Sequence, residues 1–258
     1  MLLFKSSYKR KIYIAFQAKK IMQKAKKIGE IPGFGEVYES VALLDEQVLA
    51  SSDANINASI PTTPEEIAHI RMSRISYKGA RTNILPLAMK GGEIILYKPS
   101  QCMSQSMAFN AKLAHQKREY PTMNKEVYEF AQSIAKSQTG INPEDRTAIS
   151  IPEGNLELKA EMDVTRFLLG KQNKKYFDRF SQGTLMFYSL PGEFKDRTTY
   201  NYLWFDGDEE NSDFVCNYWG LNAEDVAFGI KKFTPSNPIQ SKDSFNFTVN
   251  KLEAALFP

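Results

Sequence analysis

The first acidic residue of this chain is Glu30, yet Lys5, Lys9, Arg10, Lys11, Lys19, Lys20, Lys24, Lys26 and Lys27 all precede it. The whole chain of 258 residues carries 33 Lys and Arg against 30 Asp and Glu, a formal charge of +3. With nine positive charges in the first 29 residues, the rest holds 24 basic and 30 acidic groups and is net negative by six. A segment of that composition has no internal counter-charge. It must meet carboxylates of the body or a polyanion from outside, and the second alternative names nucleic acid or an acidic membrane surface.

Within this segment Ile14, Ala18, Ile21, Ala25 and Ile28 recur at steps of four and three, which lines one face of a helix, while Lys19, Lys20, Lys24, Lys26 and Lys27 fall off the stripe. The sequence therefore predicts a basic amphipathic arm or helix over residues 1–29. No uninterrupted apolar region follows the positive start, so it does not read as a secretory signal. Its acid-free, Lys-rich character resembles a mitochondrial presequence in composition. Leu2, Leu3 and Phe4 supply an apolar wedge for a third reading, peripheral membrane attachment.

The whole chain, 42% apolar and 12% aromatic, has the composition of a folded protein, and its body, residues 30–258, has no apolar stretch of the ~20 residues that would cross a bilayer. Cys102 and Cys216 are too few for a disulfide framework and suit a reducing compartment. The expected location is intracellular. Local signals divide the body into a helix-rich part over 30–140 and a sheet-rich part over 150–258. Thr62-Thr63-Pro64-Glu65-Glu66 predicts a helix start, running to about Lys78. Lys90-Gly91-Gly92 predicts a hairpin between 83–89 and 93–97. Helices are expected over 104–117 and 124–138. Leu156 to Thr165 alternates strictly between apolar and charged residues, the pattern of a half-buried strand. Further strands are expected over 184–190, 198–205, 215–219 and 245–249. Together these predict an α+β protein in which helices cover one side of a mostly antiparallel sheet.

Four constellations carry chemical content. Residues 28–38 contain Gly29, Gly33 and Gly35 and resemble the glycine-rich loop of protein kinases. The phosphate-pairing lysine, an HRD-type loop and a DFG motif do not follow, so kinase catalysis is excluded and the stretch reads as a tight loop entering a helix near Val37. Glu157-Leu158-Lys159, with Asp145 twelve residues before Glu157, resembles the core of PD-(D/E)xK nucleases. That resemblance implies two carboxylates on a divalent metal and a lysine that helps activate water, with Glu126 or Glu129 as a further acid. On a strand Glu157 and Lys159 would share a face, but the charges continue through Glu161 and Asp163, as on an ordinary solvated face. Residues 206–213 hold five acids and resemble a calcium loop, with Asn217 where the bidentate glutamate belongs; a solvated turn fits them better. Tyr200, Tyr202 and Trp204 form either a base-stacking platform or core, and Leu203 and Phe205 on the opposite face favour core. His69 and His115 carry no ligand or nucleophile pattern.

The leading expectation is a non-enzymatic structural or assembly protein, such as a virion or nucleoprotein component. It needs no cofactor or metal, and its contacts to nucleic acid or another polyanion come from Lys9, Arg10, Lys11, Lys19, Lys20, Lys24, Lys26 and Lys27. The alternative is a metal-dependent nuclease using Asp145, Glu157 and Lys159.

Overall fold

The computed structural model describes residues 26–41, 63–89, 91–99, 107, 110, 114, 119, 121–180, 185–189, 198–208, 210–216 and 226–232. Among these residues, mixed helices and mostly antiparallel strands form three sheets.

The first sheet joins β1 (Lys26–Ile31), β2 (Gly35–Val41) and β12 (Val226–Lys232) in that order, all antiparallel. Two sequence expectations are corrected here. Lys26, Lys27 and Ile28 lie on a strand and not at the end of a helix, and the chain enters β2, not a helix, after Gly35. The reason is tertiary. Ile31 and Val37 are buried in the main core, and Gly29 brings the β1 backbone against Ile75, so strand pairing outweighs a local helical spacing. Residues 14–25 of the predicted stripe lie outside the described residues.

The predicted cap at Thr63 is present. Helix α1 (Pro64–Met72) begins with a reciprocal capping box: the Glu66 N–H donates to Thr63 Oγ1 at 3.1 Å, and the Thr63 N–H donates to Glu66 Oε2 at 3.0 Å. The helix stops six residues before Lys78, because Ser73 caps it and Arg74 adopts a left-handed φ of 56°.

The hairpin around Gly91 is β4 (Leu85–Ala88) and β5 (Ile94–Tyr97), antiparallel in a four-stranded sheet ordered β6 (Ala148–Ile151), β5, β4, β9 (Thr199–Tyr200). All four residues of β5 are buried. Ile95 and Tyr97 face α2 (Lys125–Ser137) with Val127, Tyr128, Ala131 and Ile134, whereas Ile94 and Leu96 face the main core with α3 (Asp163–Leu169). Helices therefore cover both faces of this sheet and not one side, as a fully apolar strand requires.

The third sheet, ordered β3 (Ala80–Arg81), β10 (Trp204–Gly207), β11 (Ser212–Val215), β8 (Leu185–Tyr188), β7 (Leu156–Glu157), is antiparallel except where β8 and β11 run parallel. The expected strand over 198–205 is divided: β9 belongs to the four-stranded sheet and β10 to this one, with Asn201, Tyr202 and Leu203 crossing between them. Tyr200, Tyr202 and Trp204 are buried, so they are core and not a base-stacking surface. The long strand over 156–165 is also corrected. It ends at Glu157, residues 159–162 turn, and α3 begins at Asp163. Val164, Phe167 and Leu168 then bury at helical spacing, and Asn173, the first residue of α4 (Asn173–Arg179), donates from Nδ2 to Ala160 O at 2.7 Å to hold the turn.

A buried cation stitches these layers. Arg71, on the last turn of α1, has no solvent exposure. Its guanidinium donates to Asp206 O at 2.8 Å and Ser212 Oγ at 3.1 Å, reaches Phe205 O at 3.3 Å and Tyr77 O at 3.4 Å, and lies over the Phe205 ring at 4.4 Å. Ser212 Oγ also shares a hydrogen bond of 2.6 Å with the Tyr176 hydroxyl of α4. Gly207, at φ 142°, makes room for this guanidinium: a β-carbon there would strike Arg71 and the Asn211 carbonyl.

Candidate functional site

The charges that the fold gathers lie around Lys98, the residue that follows β5. Four segments supply them. The first turn of α1 carries Glu65, whose carboxylate lies against Gly170 at the end of α3. Gly170 has φ 57°, and a β-carbon there would collide with that carboxylate. A 3₁₀ turn over Pro143–Asp145 brings Glu144 and Asp145, and α3 brings Arg166 and Phe167. The Lys98 N–H donates to Thr147 O at 2.8 Å, which fixes the backbone of the site beside the sheet. Its Nζ lies 4.1 Å from the Phe167 ring centroid and 3.4 Å from Glu144 O. The Glu144 carboxylate is engaged elsewhere, by Arg166 at 2.9 Å, and Arg146 pairs with Asp163 at 3.1 Å. Burial pushes the Lys98 amine down to about 8, against the opposing pull of Glu65, Asp145 and Glu144.

The three nuclease residues are all described. Asp145 is on the 3₁₀ turn, Glu157 on β7, and Lys159 beyond the strand end, with all three exposed. Leu158 turns inward, and its N–H donates to Leu185 O at 2.8 Å. Glu157 and Lys159 are thus exposed on either side of an inward Leu158, with Lys159 past the end of β7. Asp145 acts electrostatically on Lys98. Glu126 and Glu129 lie exposed on α2, and Glu129 pairs with Lys125 at 2.7 Å. Among the described residues, no group of three or more His, Cys, Asp or Glu side chains is arranged to hold a metal ion.

Of the eight cations assigned to polyanion contact, Lys26 and Lys27 are described. Lys26 is exposed at the start of β1, an edge strand. Lys27 pairs with Glu36 Oε1 at 2.6 Å and Glu30 Oε2 at 3.3 Å, and Glu36 also accepts a hydrogen bond from Tyr38 at 2.9 Å. These contacts, the Glu36 hydrogen bond foremost, raise the Lys27 amine. Lys9, Arg10, Lys11, Lys19, Lys20 and Lys24 lie outside the described residues, as do Cys102 and His115.

The acidic stretch after Phe205 is the β10–β11 turn. Asp208 Oδ1 accepts from the Glu210 and Asn211 N–H groups at 2.8 and 2.7 Å, which lowers its carboxyl. Desolvation first, and then the neighbouring Asp206, raise Asp213. His69 stacks on Phe34 of the β1–β2 turn at 4.3 Å, and Cys216 is a buried free thiol pushed well up by burial. No described helix is long and apolar enough to cross a membrane.

Sequence reasoning missed Lys98 and Arg71. The local signal at Lys98 was a lysine directly after the four-residue apolar run of β5, where a side chain is drawn inward with its strand. At Arg71 the capping pattern located the helix but not its buried face.

No family model and no curated protein matches the chain. A solved structure does, described as "Accommodation of massive sequence variation in Nanoarchaeota by the C-type lectin fold". The match has a TM-score of 0.51 at 13% identity and covers 77% of this chain and 97% of that one. The body is thus an α+β protein with a C-type-lectin-like fold. At that identity the likeness speaks to architecture alone.

Proposed function

We propose that the chain is a non-enzymatic assembly protein whose basic N-terminal segment contacts a polyanion, foremost nucleic acid, while its acidic body makes protein contacts. The observation that carries this reading is the separation of charge: nine cations in the first 29 residues against a body net negative by six. Lys9, Arg10, Lys11, Lys19, Lys20 and Lys24 supply the phosphate contacts, with exposed Lys26 beside them. Lys27, occupied by Glu36 and Glu30, contributes less. The acidic β10–β11 turn repels phosphate and disfavours nucleic acid beside it. The likeness to a nanoarchaeal chain in which the fold accommodates massive sequence variation supports reading the body as a scaffold whose surface is free to suit a partner.

The test is a salt titration of a fluorescent oligonucleotide, followed by anisotropy. Affinity should fall linearly on logarithmic axes, and exchanging Lys19, Lys20 and Lys24 for Glu should flatten the slope by about 0.7–0.9 for each lysine exchanged. Lys27→Glu should change it far less. An unchanged slope in the triple variant sinks the proposal.

A further inference from the structure

We infer, resting on the reading of nucleic acid as the arm's partner, that the outer face of α4 is a second contact for a nucleic-acid phosphate backbone, on the body itself. Lys171, Lys174, Lys175 and Arg179 fall within nine residues and are all exposed, while the buried Tyr176 holds the helix to the core. Asp178 is the one acid in this stretch, so four cations against one acid leave it positive on a body that is net negative. None of the four meets a carboxylate among the described residues. The arrangement works against the helix that carries it. Helices α1, α2 and α3 each have an acid in the first turn, where the backbone N–H groups are positive, whereas α4 has Lys174 and Lys175 there and no acid. Lys175 and Arg179 also stand one turn apart, a spacing at which like charges repel, with Lys171 before them on the adjoining 3₁₀ turn. Local preferences broken twice, with no compensating contact within the fold, point to a partner outside it.

The layout of the patch selects the partner. From Lys171 to Arg179 the chain advances about 12 Å along the helix. Duplex DNA presents one charge per ~1.7 Å of its axis, so each cation in the row meets a phosphate. A membrane surface would need an apolar face beside the charges. Phe177 and Phe180 instead pack against the main core, and the large apolar residue exposed among the described residues is Ile141, on the turn after α2. With no apolar wedge on α4, the patch is suited to a phosphate backbone and not to a lipid surface.

The experiment follows anisotropy of a fluorescent oligonucleotide against salt for the full chain and three variants of it. One exchanges Lys171, Lys174, Lys175 and Arg179 for Gln, one exchanges Lys19, Lys20 and Lys24 for Glu, and the third is Lys136→Gln, at an exposed position of α2. The α4 variant should keep the circular dichroism of the parent, because all four side chains are exposed, and should flatten the logarithmic slope by about 0.7–0.9 for each cation removed. Lys136→Gln should leave the slope unchanged. A slope unchanged in the α4 variant but flattened in the arm variant would overturn the α4 contact and leave the arm's role standing. Flattening in the α4 variant alone would support it and move the contact from the arm to the body. An equal loss per charge in Lys136→Gln would reduce the effect to net charge and overturn it. Capture of phosphatidylserine vesicles by a parent chain that binds no oligonucleotide would overturn it in favour of a membrane.

Discussion

Two cations drawn into the fold, Arg71 and Lys98, illustrate opposite outcomes of the same desolvation. Arg71 regains hydrogen bonds at Nη1 and Nη2 from three carbonyls and Ser212, though its buried Nε stays unmatched, so the guanidinium binds α1 to the third sheet. Lys98 regains little, and its depressed amine has a definite consequence for stability. Between about 8 and the ordinary lysine value of 10.5 the unfolded chain holds a proton that the folded chain has released, so this group makes stability rise with pH across that window. The contribution is fully present above the unfolded value and is lost as pH falls through about 8, where the folded protein bears the charged group. Lys98→Met should therefore stabilise the protein at pH 7, by on the order of 1–3 kcal/mol, with the gain shrinking above about pH 8. Urea midpoints of both proteins from about pH 6.5 to 10 check this; a constant difference across that range would contradict it.

Among the elements, α1 shows how far local chemistry reaches. Thr63, Pro64 and Glu66 mark its start in the sequence, and the capping box forms as those residues dictate. Thr63→Ala should cost about 1 kcal/mol, and Thr63→Ser should retain most of the cap, as thermal unfolding would show. The Gly91 hairpin and α2 were equally legible, because turn chemistry and a clean apolar stripe are local properties. Residues 156–165 were not. Their alternation fits a strand, but Val164, Phe167 and Leu168 also fit a helix face, and the core decides between them. The site was the least legible part. Glu65, Lys98, Glu144, Asp145 and Phe167 come from four separated segments, so no spacing rule in the sequence joins them, and most of the basic arm lies outside the described residues.

Across the whole molecule, the crossing at residues 201–203 couples the two larger sheets. The Asn201 N–H donates to Pro86 O of β4 at 3.2 Å, and its side chain donates to Cys216 O beyond β11 at 2.9 Å and accepts from the Tyr202 N–H. Asn201→Ala leaves that carbonyl and amide unmatched and should cost about 2–3 kcal/mol. Since the same strand segment serves both sheets, tryptophan fluorescence and far-UV circular dichroism should still report coincident denaturation curves. Separate transitions would show that the sheets unfold independently.

The first sheet sets a timetable for synthesis. Gly35 pairs with Lys232 and Val41 with Val226, so the central strand of that sheet waits through almost two hundred residues for its neighbour. On the ribosome the β1–β2 hairpin emerges long before β12 and keeps one side open until that strand has been made. Contacts so distant along the chain also slow folding, because a large loop must close before they reward it. The charged residues Lys26, Lys27 and Glu30 on β1, with Glu36 and Glu39 on β2, are then a safeguard for the nascent chain, discouraging an unfinished edge from pairing with another copy.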